Sequence, residues 1–519
     1  MNLAGPLRYW AQRDPERTAI AMGDRELTWA QLDDRTSRLA QGLRGLGVGL
    51  GDRVAALVPN CIEFCETVLA CFKLGATFVP LNYRLAPAEL AEIIARSGTT
   101  AIVADRTMLD PLLEYDEQSL GRLRRIVTTA PRDGECLFEE LVTTSAPDDP
   151  RAGFAGDHPA FICYTSGTTG VPKGAVLSHR NVLAVCAERI AIDAWNSSDS
   201  TYFPYALAFT GGLIAMWMPL YSVGGQTVLE AEFDPELTLE VFEGRRITQF
   251  IAVGSILEAL TQAATFETTD LSSLRMLGTG GQAISVAMLR AFGRRGLHVC
   301  QGYGLTESGG LCLSLSGEMA EAKLGSTGIP TPQTTARVVD ISGEDVAPGE
   351  VGELWLRGPQ IMERYWEDPA ATSDAMVGDW LRTGDLVRQD DDGYFYVVDR
   401  AKDMLISGGV NIYPAEIERV LAGYPGISEL VVIAAPDEKW GEVPALIARR
   451  DGQAGEGPSA DELIEYCRQH LARYKAPKYV LFQDDPLPRG LSNKILKSQV
   501  RERSLRLLGL AVDDRQSMA

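Results

Sequence analysis

The apolar positions in the first hundred residues alternate between helical spacing and the short unbroken runs that are typical of buried strands. Within residues 28–46, leucines recur at intervals of seven, four and three, so they share one face of a helix. Residues 53–58 carry an apolar run that predicts a strand after this helix. The alternation continues with predicted helices at residues 62–74 and 87–97 and predicted strands at residues 76–81 and 101–104. Strands that alternate with helices predict an α/β fold with doubly wound, mostly parallel sheets.

The pattern changes after residue 399, where several short strands follow one another with few helices between them. The predicted strands lie at residues 404–406, 430–434 and 445–448, and the predicted helices at residues 414–422 and 460–473. These elements are typical of a small α+β domain of about a hundred residues. We therefore predict a large domain at residues 1–399, a boundary at residues 400–403 and a small domain at residues 404–519.

A loop rich in glycine and hydroxyl residues carries the clearest chemical signal. It follows an apolar strand at residues 160–164 and includes Thr165, Ser166, Gly167, Thr168, Thr169, Gly170 and Lys173. Its N–H and O–H groups can surround an anion, and the lysine adds positive charge. We interpret it as a polyphosphate-binding loop, but not as a Walker A loop, because Lys173 precedes glycine and not serine or threonine. A flexible linker is the alternative, but linkers rarely combine a buried strand, a Pro-Lys pair and a second apolar segment.

Composition and charge narrow the function classes that remain. The 519 residues are too many for one core, so at least two domains are expected. The net charge of −21 disfavours a nucleic acid or an anionic membrane as partner, because no basic run offsets it. Nine dispersed cysteines without a Cys-x-x-Cys pair, and only four histidines, disfavour structural zinc and suit a reducing cytosol. No stretch approaches the ~20 apolar residues of a membrane span, so we expect a cytoplasmic protein.

Five further motifs follow the phosphate loop in a fixed order. They are Gly-Thr-Gly-Gly-Gln-Ala at residues 278–283, Gln-Gly-Tyr-Gly-Leu-Thr-Glu-Ser at 301–308, Trp-Leu-Arg-Thr-Gly-Asp at 380–385, Tyr-Val-Val-Asp-Arg-Ala-Lys-Asp at 396–403 and Pro-Arg-Gly-Leu-Ser-Asn-Lys-Ile-Leu-Lys at 488–497. In this order and spacing the chain resembles the adenylate-forming superfamily, which includes acyl-CoA synthetases, adenylation domains of peptide synthetases and firefly luciferase. The resemblance covers residues 27–497. It implies a large N-terminal domain of doubly wound mixed sheets plus a β-subdomain, and a small mobile C-terminal α+β domain.

The resemblance implies a two-step reaction that uses ATP, Mg²⁺ and CoA. A carboxylate first attacks the α-phosphate of ATP and releases pyrophosphate, which requires positive charge and oriented donors around the two anions. The thiol of CoA then displaces AMP. The implied catalytic residues are Lys494, Thr306 and Glu307, and the implied Mg²⁺ ligands are Glu307 and Thr168. Beyond the phosphate loop, the implied nucleotide-binding residues are Gly281, Gln282, Ala283, Gly302, Tyr303, Gly304, Asp385 and Arg400.

The same resemblance implies that the small domain rotates between the two half-reactions, because Lys494 belongs to it and the partners of Lys494 do not. Lys402 corresponds to the hinge, where a few residues absorb the change in backbone angles. Gly408 and Gly409 correspond to small residues that let the pantetheine of CoA pass. Asn493 replaces the glycine that is usual before the catalytic lysine, and asparagine shares much of glycine's tolerance for a left-handed backbone.

Simpler interpretations of three residues stay open at this level. Glu307 could be a solvated loop acid, and Asp385 could cap the turn that follows it. Lys494 could be one charge at the start of a helix, since Lys497 is three residues further on.

The acid pocket of the resembled family corresponds to residues 206–213, 251–257 and 302–311 of this chain. The candidate pocket residues are Phe209, Thr210, Gly211, Ser255, Gly278 and Gly280. The first segment contains no carboxylate, so the α-ammonium group of an amino acid would be buried unpaired at a cost of several kcal/mol. The glycines leave room for a bulky apolar group. We therefore predict a fatty, aromatic or alicyclic acid.

Two other functions remain open from the sequence alone. One is a ligase that stops at acyl-AMP and delivers the acyl group to a carrier protein, and the other is a nucleotide-binding pseudoenzyme that regulates a partner. The expected partners are a small-molecule carboxylic acid and CoA. A homodimer is one assembly that is compatible with the sequence, which leaves the oligomeric state open.

Overall fold

The protein is described by a computed structural model over residues 2–165, 171–281, 284–401, 403–407, 410–437, 439–451, 457–489 and 495–510. The chain divides into two compact units, Met1–Ala336 with Leu356–Arg382 and Arg337–Trp355 with Thr383–Ala519. The second unit includes two segments that precede the predicted boundary at residues 400–403, and this boundary stays a prediction.

Strands and helices alternate along most of the described chain. The strands are β1 (Thr18–Met22), β2 (Arg25–Thr28), β3 (Arg53–Leu57), β4 (Thr77–Pro80), β5 (Ala101–Ala104), β6 (Arg124–Val127), β7 (Glu135–Leu137), β8 (Pro159–Thr165), β9 (Lys173–Ser178), β10 (Ser200–Phe203), β11 (Gln226–Leu229), β12 (Gln249–Ala252), β13 (Met276–Gly280), β14 (Val299–Tyr303), β15 (Leu313–Leu315), β16 (Ile329–Pro330), β17 (Thr335–Val339), β18 (Val351–Arg357), β19 (Arg364–Tyr365), β20 (Met376–Val377), β21 (Trp380–Gln389), β22 (Phe395–Arg400), β23 (Leu405–Ser407), β24 (Val410–Ile412), β25 (Ile427–Asp437), β26 (Gly441–Arg450) and β27 (Tyr479–Gln483).

The helices differ widely in length. They are α1 (Gly5–Arg13), α2 (Trp29–Gly45), α3 (Ile62–Leu74), α4 (Pro87–Ser97), α5 (Arg106–Leu120), α6 (Phe138–Thr144), α7 (His179–Asp193), α8 (Thr210–Gly212), α9 (Met218–Val223), α10 (Pro235–Gly244), α11 (Gly254–Gln262), α12 (Val286–Arg294), α13 (Pro369–Ala375), α14 (Pro414–Leu421), α15 (Ala460–His470) and α16 (Lys497–Leu507), with a π-helical turn at Leu213–Trp217 and 3-10 turns at Thr306–Ser308, Gly317–Met319 and Arg473–Lys475. Within the described residues, none of these helices combines the length and the apolar character that crossing a bilayer requires.

The helices and strands predicted in residues 28–104 are confirmed, and local signals explain where they begin and end. Before α2, Thr28 and Gln31 form a capping box in which each side chain accepts a hydrogen bond from the other residue's backbone N–H. After α3, Gly75 has a φ of 75°, the left-handed conformation that glycine adopts at helix ends. β3, β4 and β5 are then almost completely buried, as their short apolar runs predict.

Two mixed sheets form most of the first unit. Within the described residues, one has nine strands in the order β16-β15-β14-β13-β12-β10-β11-β1-β2, and the other has eight in the order β19-β9-β8-β4-β3-β5-β6-β7. Most neighbouring strands are parallel, whereas β1–β2, β14–β15, β15–β16, β8–β9 and β9–β19 are antiparallel. The prediction of an α/β fold with doubly wound mixed sheets is confirmed.

Within the described residues, two further sheets have five strands each. One has the order β17-β18-β21-β20, with β22 also paired to β21, and the other has the order β24-β23-β26-β25, with β27 parallel to β26. Successive side chains of β25 point to opposite faces, so Val432 packs in one core with Leu463 of α15, while Val431 packs in another with Val500 of α16. Helices therefore cover both faces of this sheet, as expected for the predicted small α+β domain.

Candidate active site

The predicted phosphate loop connects two antiparallel strands of the eight-stranded sheet. β8 ends at Thr165, β9 begins at Lys173, and these residues are directly opposite each other in the ladder. The Thr165 hydroxyl also donates a hydrogen bond to the Lys173 carbonyl oxygen at 3.5 Å. The hairpin therefore holds the described ends of the loop together, which suits a loop that closes round an anion. The predicted residues Ser166, Gly167, Thr168, Thr169 and Gly170 lie outside the described residues.

The 3-10 turn Thr306–Ser308 carries two of the predicted catalytic residues. The Leu305 N–H donates to the Ser308 hydroxyl at 2.9 Å, and that hydroxyl donates to the Leu305 carbonyl oxygen at 3.1 Å, which closes the turn. The Met362 N–H donates to the carbonyl oxygen of Glu307 at 2.7 Å. The backbone of Glu307 is thus held both by its own turn and by a segment distant in sequence.

Tyr365 contacts both Glu307 and Lys173, and sequence reasoning missed it. Its hydroxyl donates to Glu307 Oε1 at 2.7 Å, and the Lys173 ammonium lies 5.5 Å from the centroid of its ring. Tyr365 is on β19, which pairs with β9. Burial, followed by the negative charge of Glu307, raises the pKa of this phenol, so the hydroxyl keeps its proton and acts as the donor. The sequence around Tyr365 offers only an Arg-Tyr-Trp run, which does not distinguish it from an ordinary strand.

The Glu307 carboxylate fits a Mg²⁺ ion. In the described part of the chain only Tyr365 donates to it, at Oε1, which leaves Oε2 for another partner. The same described residues contain no group of three or more His, Cys, Asp or Glu side chains that could hold a metal ion. Mg²⁺ usually takes one or two carboxylates and completes its shell with waters and substrate phosphates, so a single carboxylate near a phosphate loop is sufficient. Thr168, the second predicted ligand, is outside the described residues.

The first segment of the predicted acid pocket lies against the 3-10 turn Thr306–Ser308. Thr210 begins α8, and its hydroxyl oxygen lies 3.4 Å from the hydroxyl oxygen of Thr306. A Cβ added to Gly310 would lie 3.5 Å from the Cα of Gly211, so these two backbones approach closely. Phe209 precedes the helix and is half-buried. The structure thereby places the beginning of α8 beside the turn that carries Thr306.

Glycines occupy one face of two neighbouring strands, β13 and β14. Gly278 and Gly280 are paired with Cys300 and Gly302, respectively. A Cβ on Gly280 would lie 3.0 Å from the Gly302 carbonyl oxygen, and a Cβ on Gly278 would lie 3.1 Å from Ile251 Cγ1. Larger residues at either position would have to push a strand or a side chain aside, so these two glycines permit close packing and do not by themselves open a pocket.

The remaining predicted residues of the first unit lie at the ends of these elements. Tyr303 ends β14 and is half-buried, and Gly281 follows β13 with a φ of 84°. A Cβ on Gly304 would lie 2.4 Å from the carbonyl carbon of Gly310, so only glycine fits there. Ser255 is exposed at the beginning of α11, and Gly211 is exposed too, whereas the other predicted pocket residues named above are buried or half-buried. Gln282 and Ala283 are outside the described residues.

In the second unit, Asp385 and Arg400, which are both predicted to bind the nucleotide, form an ion pair. They are opposite each other in the β21–β22 ladder, and Arg400 Nε lies 3.1 Å from Asp385 Oδ1. The Asp385 side chain is 6% exposed and that of Arg400 is 44% exposed. The Asp385 N–H donates to the Thr383 hydroxyl at 3.1 Å, which orients the strand at the acid. The other predicted residues of this unit, Lys402, Gly408, Gly409 and Lys494, are outside the described residues.

Comparison with known proteins identifies close relatives along nearly the whole chain. The family model described as AMP-binding enzyme matches residues 7–366, and the model described as AMP-binding enzyme C-terminal domain matches residues 416–494. A feruloyl-CoA synthase of an Amycolatopsis species is 40% identical over 495 residues, covering 95% of this chain and 97% of that protein. An indoleacetate–CoA ligase of Aromatoleum aromaticum is 36% identical over 504 residues, covering 96% and 98%. The structure of O-succinylbenzoate coenzyme A synthetase from Bacillus subtilis with ATP and magnesium ion matches with a TM-score of 0.85 and 31% identity, covering 96% and 99%.

Proposed function

This chain belongs to the AMP-binding enzyme family, in the acyl-CoA ligase branch of the adenylate-forming enzymes, and we propose that it converts a hydrophobic carboxylic acid into its CoA thioester. The cosubstrates are ATP, with Mg²⁺, and CoA. The proposed acid is fatty, aromatic or alicyclic. The observation that most supports this function is the placement of Tyr365 between Lys173 of the phosphate loop and the carboxylate of Glu307.

In the proposed first step, a carboxylate oxygen of the acid bonds to the α-phosphorus of ATP and pyrophosphate leaves. In the second step, the sulfur of CoA bonds to the acyl carbon, AMP leaves, and the thiol proton passes to solvent. The first step brings two anions together, so the site has to supply positive charge and donors. Mg²⁺, when bound, neutralises phosphate charge. Lys173 supplies a fixed cation at the end of the loop, and Thr306 supplies a hydroxyl donor.

The carboxylate of Asp385 suits the ribose hydroxyls of the nucleotide. It is almost completely buried, and its ion pair with Arg400 orients Oδ1, while the backbone N–H of Asp385 donates to the Thr383 hydroxyl. A carboxylate oxygen accepts hydrogen bonds from vicinal hydroxyls without a change of protonation. In our proposal Lys494 contributes the ammonium that bridges the attacking carboxylate and the α-phosphate, as the resemblance implies.

The residues beside the Thr306 turn support a largely apolar acid. No carboxylate occurs between Ala206 and Leu213, so an α-ammonium group would have no counter-charge there. The neighbours of Gly278 and Gly302 include the apolar side chains of Ile251 and Leu311, each 3.1 Å from the position that a Cβ would take.

The test is a panel of fatty, aromatic and alicyclic acids incubated with the purified protein, MgATP and CoA. We expect AMP release that depends on both acid and CoA, with the acyl-CoA product identified by mass. Accumulation of acyl-AMP without acyl-CoA would instead support delivery to a carrier protein. If no acid in the panel gives ATP-dependent AMP release, the proposed function is wrong.

A pair of glutamate variants distinguishes the loss of the Glu307 charge from a general effect of a substitution on folding. Glu307→Gln keeps the size of the side chain but removes the charge, so we expect AMP release to fall at least about 100-fold for loss of one oriented charge. Glu318→Gln changes an exposed glutamate a short distance along the chain and should leave the rate unchanged. Equal rates in the two variants would remove Glu307 from the site.

A further inference from the structure

The first turn of α7 carries an asparagine whose side-chain amide is fully hydrogen-bonded. Asn181 is only 6% exposed. Its Oδ1 accepts hydrogen bonds from the Ser178 backbone N–H at 2.8 Å and from the Ser178 hydroxyl at 2.7 Å, within the capping box that begins the helix. Its Nδ2 donates to the carbonyl oxygens of Pro359 and Ile361, each at 2.8 Å. Donors face the oxygen and acceptors face the nitrogen, so the amide has one orientation.

The two carbonyl groups belong to residues 359–365, which we call the support segment because it holds Glu307. Directly after the two carbonyls, the Met362 N–H donates to the Glu307 carbonyl oxygen at 2.7 Å. At the end of the segment, the Tyr365 hydroxyl donates to the Glu307 carboxylate at 2.7 Å. The backbone and the side chain of Glu307 therefore both depend on the position of the support segment, and Asn181 holds that segment at its beginning.

The support segment also lies alongside β9, which begins where the phosphate loop ends. Its last two residues form β19, in which Tyr365 is opposite Ala175 of β9. The Trp366 N–H donates to the Gly174 carbonyl oxygen at 2.7 Å. α7 follows β9 directly, so Asn181 continues this contact beyond the end of the strand. The element that leaves the phosphate loop and the element that holds the catalytic carboxylate are thereby joined at both ends.

We propose that Asn181 is a positioning residue for Glu307, and that its two hydrogen bonds to the support segment determine how well the site binds Mg²⁺ with ATP. This inference rests on the proposed function and adds to it a residue that acts through the support segment. The capping box does not require an amide, because a carboxylate at the same position accepts the same hydrogen bonds and suits a helix N-terminus. An amide is needed because the side chain also donates to two carbonyl groups.

The test is Asn181→Asp, which keeps the size of the side chain and the acceptor of the capping box. The variant replaces the donor by an oxygen that faces two carbonyl oxygens, so the support segment loses its contact with α7. We measure the Mg²⁺ concentration at half-maximal ATP–pyrophosphate exchange and the calorimetric dissociation constant of MgATP. Both should rise at least about threefold, the effect of losing one neutral hydrogen bond. Asn181→Ala removes the amide without adding charge and should give the same result.

The dependence on Glu307 is the measurement that a purely structural role would not change. When Glu307→Gln has already removed the carboxylate, the support segment has no charge to orient. Adding Asn181→Asp to Glu307→Gln should therefore change the dissociation constant of MgATP by less than twofold. Two independent effects would instead multiply.

Asn60→Asp is the matched control, because Asn60 is also buried and also holds backbone carbonyl groups. It is 3% exposed, and its Nδ2 donates to three carbonyl oxygens outside the support segment. The control should destabilise the protein, as Asn181→Asp does, since both variants remove buried hydrogen bonds to the backbone. Its half-saturating Mg²⁺ concentration should stay within twofold of wild type.

Four results would overturn the proposal. They are a dissociation constant of MgATP within twofold of wild type in the Asn181 variants, an equally large effect of Asn181→Asp with and without Glu307→Gln, an equally large effect of Asn60→Asp on the Mg²⁺ response, and loss of folding in both Asn181 variants, which would make this residue purely structural. Absence of AMP release with every acid would count against the proposed function instead. In that case calorimetry with MgATP still decides the role of Asn181, because it requires no acid.

Discussion

The hydroxyl of Tyr365 is the single group whose removal most directly tests how Glu307 is positioned. Tyr365→Phe deletes one oxygen and keeps the ring, so the ring contact with the Lys173 ammonium at 5.5 Å is retained. What is lost is the 2.7 Å hydrogen bond to Glu307 Oε1. Without it, the carboxylate can rotate, and the orientation that presents Oε2 to the metal is no longer favoured.

The size of the effect follows from the kind of hydrogen bond that is removed. A hydrogen bond to a charged group contributes about 1.5–3 kcal/mol. Glu307 is only half-buried, so water can replace the phenol at Oε1 and offset part of the loss. We therefore expect the lower end of this range, about 1.5 kcal/mol, which corresponds to roughly a tenfold change in an equilibrium constant.

The measurement is the Mg²⁺ concentration at half-maximal ATP–pyrophosphate exchange, together with the calorimetric affinity for MgATP. For Tyr365→Phe we expect both to weaken about tenfold, and the maximal exchange rate to change less, because the hydroxyl acts through Glu307. Tyr396→Phe is the matched control, since its hydroxyl donates to Asp390 Oδ2 at 3.1 Å in the second unit. A half-saturating Mg²⁺ concentration within twofold of wild type, in a variant with an unchanged melting temperature, would refute the positioning role.

Three further predictions concern other parts of the chain. Lys494→Ala should abolish ATP–pyrophosphate exchange while thioester formation from supplied acyl-AMP is largely retained; exchange at the wild-type rate would contradict its assignment. Gly304→Ala should destabilise the protein by about 1–3 kcal/mol and reduce activity, because its Cβ would lie 2.4 Å from the Gly310 carbonyl carbon; an unchanged denaturation midpoint would argue against this. Burial, then His158, lowers the pKa of His179 to about 3 from 6.5, so the folded state keeps it neutral and its stability contribution is lost as pH falls below 6.5. The difference in unfolding free energy between wild type and His179→Leu should therefore shrink by up to ~1.4 kcal/mol per pH unit below pH 6.5. If the unfolding free energies of the two proteins changed in parallel with pH, this effect of His179 would be excluded.

The sequence predicts best where the determining interactions are local. The capping box before α2, the glycine after α3 and the apolar runs of β3 to β5 each depend on a few neighbouring residues, and the predicted elements match the structure closely. Asp385 and Arg400 belong to separate motifs, and both were predicted for the ribose site. Their pairing follows from one hairpin register, which joins positions only fifteen residues apart.

Tyr365 could not be predicted in the same way, because its contacts join segments far apart in the chain. Its hydrogen bond to Glu307 spans 58 residues, and it exists because the two-residue strand β19 pairs with β9. A strand that short has no periodicity to read, and an aromatic residue within it is typical of ordinary core packing. The sequence indicates the two charged groups, Glu307 and Lys173, whereas the group between them depends on sheet pairing.

Charged residues buried on α7 show a different limit of sequence reasoning. Glu188 and Arg189 are adjacent and would normally be assigned to the solvent face of a helix, yet both are buried. Glu188 accepts hydrogen bonds from the Thr331 hydroxyl and the Gln333 N–H, and Arg189 is paired with Asp193. Both hydrogen bonds to Glu188 go to Oε1, and its buried Oε2 has no partner among the described residues. Burial accordingly raises the pKa of Glu188, whereas Arg189 keeps its charge balanced by Asp193. These two environments depend on contacts with distant segments, which the sequence of α7 does not indicate.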